Sequence, residues 1–212
     1  MQLSEQKELG LRLLAELNEW RPTILAGGAP RDWGLGKKAN DLDFFILEDF
    51  DYIEIEGNLG VELSLEGKEG ISAYEGMPFE VWTGYYGEQK VQFIRHRHTS
   101  TAKEVINGFG CSLSKIWYDT EGELQKSDQY VIARTLGIAV LSVNVTGSYM
   151  NKCQRILQEN NILYRMSSKS VLKSIGEGAH KNRNTDTVAG LRWINPPHVD
   201  WGQPIIAAAD FF

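Results

Sequence analysis

Cysteine is scarce: Cys111 and Cys153 stand far apart, and neither belongs to a Cys-x-x-Cys pair. This excludes a disulfide-built module and a cysteine zinc site, and reads as a reducing, cytoplasmic setting. Positive charge is short as well. The 22 Lys and Arg stand against 28 Asp and Glu, for a net charge of -6, which excludes a broad basic surface wrapping nucleic acid and leaves room only for a small local basic groove. No apolar run approaches the ~20 residues that cross a bilayer, and residues 1–5 have no basic start leading into an apolar stretch. The expectation is a chain soluble as synthesised, with no membrane partner. Internal repeats and low-complexity segments are lacking too. What remains, 212 residues of which 42% are hydrophobic, suffices for one substantial core or one core plus a small appendage.

Along the chain, Leu9, Leu13, Leu14 and Leu17 recur at three- and four-residue intervals, which predicts a helix from about residue 4 to 20 with one leucine face buried. Residues 23–26 read as a short buried strand ending at Gly27-Gly28, and Pro30 suits the first turn of a following helix, where its missing N–H costs nothing. Residues 41–47 are the next strand, with carboxylates at a spacing of two giving way to an apolar run. Residues 52–94 look strand-like and glycine-punctuated, with runs at 60–65, 78–83 and 90–95. Thr101 to Glu104 is a capping box opening a short helix. Residues 111–118 and the turn at 119–124 suggest two further strands. Helices are expected at 128–136 and 148–159, then an irregular tail. The fold class is α+β, a mixed sheet flanked by helices over residues 1–126, followed by a small helical C-terminal region over 127–212.

Two carboxylates two residues apart on a strand project from one face, roughly 7 Å apart along the backbone. Asp41 and Asp43 can therefore converge on one divalent cation, Mg²⁺ or Mn²⁺, of the kind that activates a hydroxyl and neutralises a leaving pyrophosphate. Gly27 and Gly28 form a turn whose backbone N–H groups can approach phosphate oxygens, and Arg31 is a nearby cation. An Asp-x-Asp alone is common on solvated strand ends, and a Gly-Gly turn alone is most often only a turn. Here both occur in one strand-turn-helix-strand unit, whose spacing brings the ends of two neighbouring parallel-type strands together.

The order Gly27-Gly28, two residues, Arg31-Asp32, three residues, Gly36, four residues, Asp41-Leu42-Asp43 resembles the head-domain signature of the CCA-adding enzyme and bacterial poly(A) polymerase branch of the DNA polymerase β superfamily. Pro30 stands where that branch usually has Val. Residues 110–119, with Gly122 and Leu124, are similar in part to a later strand of the branch. The resemblance covers roughly residues 20–126. It departs at Gly108-Phe109-Gly110, where the branch has RRD, and the EDxxR base-templating motif is missing after Ser127. It implies a nucleotidyltransferase-like fold and an NTP as ligand. It also implies Asp41 and Asp43 as metal-holding catalytic acids, Gly27, Gly28 and Arg31 as nucleotide contacts, and a third acid from a neighbouring strand. Glu80 is the candidate, as a base for the incoming hydroxyl or a support for a second metal. The strand at residues 91–94 fits that place equally, and would put neutral Gln92 there.

Arg95-His96-Arg97-His98 reads as a solvated strand end rather than a phosphate or metal contact, and His180, Lys181, Arg183 and Arg192 as soluble surface of the tail. Trp82 is of interest for its neighbour Glu80. Three functions compete. One is a metal-dependent transferase moving a nucleoside monophosphate to a hydroxyl on RNA or tRNA, protein or a small molecule. Another is a weak or inactive protein of the same fold that binds nucleotide or a host factor. The third is a toxin-like transferase acting on tRNA ends.

Overall fold

A computed structural model of the chain describes residues 1–65, 79–96, 101–142 and 147–166. Helix α1 (Leu3–Asn18) buries Leu9, Leu13, Leu14 and Leu17, the stripe its periodicity requires. Strand β1 (Thr23–Ala26) is buried throughout, helix α2 (Gly28–Gly34) follows at once, and β2 (Asp41–Ile46) returns beside β1. The pairing of β1 with β2 is antiparallel, Ala26 opposite Asp43, and not the parallel-type arrangement expected. The seven-residue helix and the loop after it stay at one end of the sheet, so the chain re-enters where it left, whereas a parallel partner needs a crossover to the far end.

Residues 52–59, read as strand, are helix α3 (Tyr52–Leu59). Asp51 caps it by accepting the N–H of Ile53, and Gly60 ends it in the left-handed conformation at φ 60°. Short β3 (Ser64–Leu65) is followed by β4 (Phe79–Tyr86) and β5 (Gln89–His96), then by α4 (Ala102–Gly108) with the expected capping box. In place of one strand over 111–118 there is a 3₁₀ turn (Ser112–Ser114) and then β6 (Ile116–Tyr118), which pairs with β7 (Leu124–Lys126). The sheet is mixed and seven-stranded, in the order β3-β4-β5-β2-β1-β6-β7, with β5 parallel to β2. The C-terminal region holds α5 (Asp128–Leu136) and α6 (Gly147–Glu159) as expected. It also holds β8 (Ile138–Leu141) and β9 (Leu163–Met166), a parallel pair that the expectation of helices alone missed. The tail cations His180, Lys181, Arg183 and Arg192, and Arg97 with His98, lie outside the described residues.

The sheet separates two apolar layers. Leu25, Leu42, Phe44, Ile46, Val91 and Phe93 face α1 and Ile55 of α3, with Phe44 stacked on Phe93 at 5.6 Å. Ile24, Ala26, Phe45, Val81 and Ile94 face Val105 and Ile106 of α4. Each large side chain so buried is worth about 1.5–3 kcal/mol, which fixes which residues of β2, β4 and β5 look to which side. Cys111 and Cys153 are free and buried in a third cluster, which joins residues 111–116 to α5, α6 and the β8–β9 pair.

Candidate active site

Strand pairing decides what can meet. Asp43 lies opposite Ala26 of β1 and opposite Gln92 of β5, and Gln92 lies opposite Thr83 of β4. Laterally paired residues point to one side, so Asp41, Asp43, Gln92 and Thr83 share the α4 side of the sheet. The Gly27-Gly28 turn closes on this end. A methyl group at Gly27 would stand 2.8 Å from Oδ2 of Asp43, and one at Gly28 would stand 3.7 Å from both Oδ1 of Asp41 and Nη2 of Arg31. Gly27 also has φ +82°, a conformation that only glycine adopts without strain. The missing side chain at Gly27 thus lets the Asp43 carboxylate pack against the turn, and the place of one at Gly28 is bordered by a carboxylate and a guanidinium.

Asp41 and Asp43 are both half-buried. Burial, and then the neighbouring Asp41, push the Asp43 carboxyl up to about 7. Lys152, the N–H of Gly28 donated to Asp43, and Arg31 pull the other way. An acid at that value is half-protonated at neutral pH, the condition of a carboxylate that lacks a sufficient counter-charge.

The fold has counterparts among solved structures. A tRNA-processing enzyme in an apo form superposes with a TM-score of 0.58 at 15% identity, over 82% of this chain and 48% of that one. The apo CCA-adding enzyme gives 0.57 at 15%, over 84% and 44%, and the complex of CCA-adding enzyme with ATP gives 0.56 at 16%, over 83% and 44%. The fold is similar to the head of CCA-adding enzymes. At such identities the likeness is one of fold, and the chain spans about half the length of these structures. No family model matches the sequence, and no curated protein does.

Within this fold Glu80 is not brought to the aspartates. It pairs with Arg95, which pairs with Ile46, so it points to the opposite side of the sheet. There its Oε2 accepts from Nη2 of Arg95 at 2.5 Å, while Nη1 of Arg95 reaches Asp49 and the carbonyl of Phe50, each at 2.9 Å. Trp82 is on that side too, stacked on Tyr52 at 4.1 Å. Glu80→Gln is therefore expected to cost under about 1 kcal/mol of stability, as read by thermal melting. The position beside Asp43 belongs to Gln92, whose Nε2 is 3.5 Å from Oγ1 of Thr83. Among the described residues no group of three or more His, Cys, Asp or Glu is disposed to hold a metal, and the described acids at this place are Asp41 and Asp43.

Arg31 is close to the turn but already engaged. It is buried, donates to both carboxylate oxygens of Asp32 at 2.7 and 3.0 Å, and donates to Oγ of Ser114 at 3.2 Å. Burial alone would weaken its charge, but the Asp32 carboxylate prevails and leaves its pKa raised. Its place is one of orientation and field, with Nη2 the part of the guanidinium near Gly28.

Sequence reasoning missed Gln6. Its buried amide donates to the carbonyl of Ala39 at 2.8 Å and to Oε1 of Gln89 at 2.5 Å, and accepts from the N–H of Ala39 and from Nε1 of Trp33, each at 2.9 Å. One side chain thus fixes the loop two residues before Asp41, the start of β5 and the outer side of α2. The available signal was a polar residue in the leucine stripe of α1, at helical spacing from Leu9, Gly10 and Leu13.

Proposed function

We propose that the chain is a metal-dependent nucleotidyltransferase, moving a nucleoside monophosphate from an NTP to a hydroxyl acceptor on RNA or tRNA, a protein or a small molecule. The observation that carries this is the closure of a side-chain-free turn, Gly27-Gly28, onto two same-face carboxylates, Asp41 and Asp43. Hard oxygen donors fit Mg²⁺ or Mn²⁺, and an acid pushed to about 7 beside a second acid is one that a divalent cation would relieve. Asp41 and Asp43 would hold the ion. When bound, it supplies neutralisation of phosphate charge and a more acidic acceptor hydroxyl.

The chain's own residues do the rest. Gly28 orients Asp43 through its N–H, and the room above its α-carbon, between Asp41 and Arg31, would receive the polyphosphate, with Arg31 supplying positive field. Gln92, neutral and buried beside Asp43, would position rather than ionise. Incubation with each labelled NTP, Mg²⁺ or Mn²⁺ and total RNA, read on a gel, tests the reading. Transfer that Asp41→Ala and Asp43→Ala both remove sustains it.

The same Gln92 favours a second reading, a nucleotide-binding regulator of this fold with weak or no turnover, because two acids hold a cation less firmly than three. Absence of transfer together with absence of metal-dependent nucleotide binding would leave only a binding role toward a host factor. Gln92→Glu tests the effect of a third acid at this place. It is expected to tighten Mn²⁺ binding by about tenfold, while lowering the melting temperature of the metal-free protein, since it buries a third like charge. Calorimetry and thermal melting with and without Mn²⁺ read both effects.

A further inference from the structure

Away from the aspartates, an open groove of about 980 Å³ runs between α1, α2, the β6–β7 hairpin and α5. Its charge is unlike that of the chain. Lys7, Lys126 and Arg134 stand on its walls from three separate elements, and no Asp or Glu among the described residues lines it, in a molecule with 28 acidic against 22 basic side chains. Its open apolar surface is aliphatic: Leu124 is 41% exposed and Val131 46%. Val131, Arg134 and Thr135 fall at i, i+3 and i+4 on α5, and Leu3 and Lys7 at i and i+4 on α1, so each wall is one helix face with apolar and cationic groups in line.

These features select the occupant. A nucleic acid strand in a basic groove stacks its bases on presented aromatic faces. The rings that line this groove are spent on packing. Tyr118 and Tyr130 are buried, Trp33 is tilted against Tyr118 at 5.9 Å and hydrogen-bonded to Gln6, and Lys7 lies over the Tyr118 ring at 5.8 Å. Exposed aliphatic side chains bordered by cations suit a different ligand, an amphipathic segment whose apolar side chains enter the groove while its carboxylates meet the rim. We propose that this groove docks an acidic amphipathic segment of a partner protein, with Leu124 and Val131 as the apolar floor and Lys7, Lys126 and Arg134 as the charge-reading rim. The surface is independent of the transfer reaction, although α2 joins it to the glycine turn.

Selection of phage-displayed random peptides of about 16 residues, long enough for four helical turns, tests this on the full chain. The counter-baits are a Lys7→Glu, Lys126→Glu, Arg134→Glu triple variant and a Val131→Asp variant, all at exposed positions and verified as folded by circular dichroism. The recovered peptides are expected to be rich in Asp and Glu, with aliphatic residues three and four apart. By fluorescence anisotropy they should bind the wild type about tenfold or more tighter than either variant, and more weakly at high salt. Asp43→Asn should leave that binding unchanged, so loss of transfer activity and loss of docking are read separately. Recovery of no peptide that distinguishes wild type from the variants overturns the proposal. So does recovery of basic peptides, or binding of labelled oligouridylate that the triple variant abolishes.

Discussion

Asparagine in place of Asp43 is expected to make the metal-free protein more stable and to lower metal-dependent nucleotide transfer by about two orders of magnitude or more. The two effects share one cause. The Asp43 carboxyl sits at about 7 in the folded chain, against 3.8 ordinarily. Between those values the folded state holds a proton that the unfolded state has released, so stability from this group is present at low pH and falls as pH rises from about 4 to about 7. The amide of Asp43→Asn would carry no such slope while keeping an oxygen for the Gly28 N–H. Its advantage should therefore grow as pH rises from about 4 and be complete above about pH 7, at about 2 kcal/mol, since the half-buried side chain keeps some contact with water. Thermal melting of both proteins across pH 4–8 without metal checks the stability half. The binding half follows from the same proton. A cation must displace it, so Mn²⁺ affinity of the wild type should fall by approaching tenfold for each pH unit below 7, with proton release detectable by calorimetry in buffers of different ionisation enthalpy. A pH-independent affinity, or Asp43→Asn less stable than wild type at pH 8, would sink this account.

The glycine pair yields the second large effect, through a contrast between neighbours. Gly27→Ala meets two penalties, a positive φ of 82° and a methyl group 2.8 Å from Oδ2 of Asp43. Strain of about 1–2 kcal/mol comes from the backbone alone, and the carboxylate must shift to admit the methyl group, so stability and metal affinity should fall together. Gly28→Ala meets neither, because nothing lies nearer than 3.7 Å and its φ is not in the left-handed region. Its melting temperature should stay close to wild type, while nucleotide affinity drops by about tenfold, the methyl group occupying room between Asp41 and Arg31. Equal nucleotide affinity in Gly28→Ala and wild type would mean that polyphosphate does not pass that way.

What was legible in the chain was the local part. A glycine turn, a helix start and a strand with carboxylates at a spacing of two are written within residues 23–46, and the structure sets them next to one another, although through an antiparallel pair and not the parallel-type one expected. The neighbour of β2 was not legible in the same way. Glu80 and Gln92 both sit in β-like runs, and only the parallel pairing of β2 with β5 decides that Gln92 flanks Asp43 and that Glu80 faces the other layer. That pairing is set by packing of Phe44 on Phe93 and of Phe45 with Ile94, contacts about fifty residues apart that no local pattern announces. Helix α3 was lost to the β-prone residues Tyr52, Ile53 and Ile55, although Asp51 and Gly60 marked both its ends. Strands β8 and β9 were lost because four-residue strands carry too little periodicity to stand out beside helices.

The Gln6 amide has a consequence for the order of assembly. Its hydrogen bonds reach Ala39 and Gln89, 33 and 83 residues away, so the loop leading into Asp41 is held by α1 first and is tied to the start of β5 only after β5 exists. During synthesis, a chain that has not yet released residue 89 carries both aspartates, the glycine turn and the Gln6–Ala39 bonds, but not the strand whose Gln92 stands opposite Asp43. On the proposed function, capture of a cation should accordingly tighten when β5 zips onto β2, which would make metal affinity a reporter of completed sheet formation rather than of early collapse.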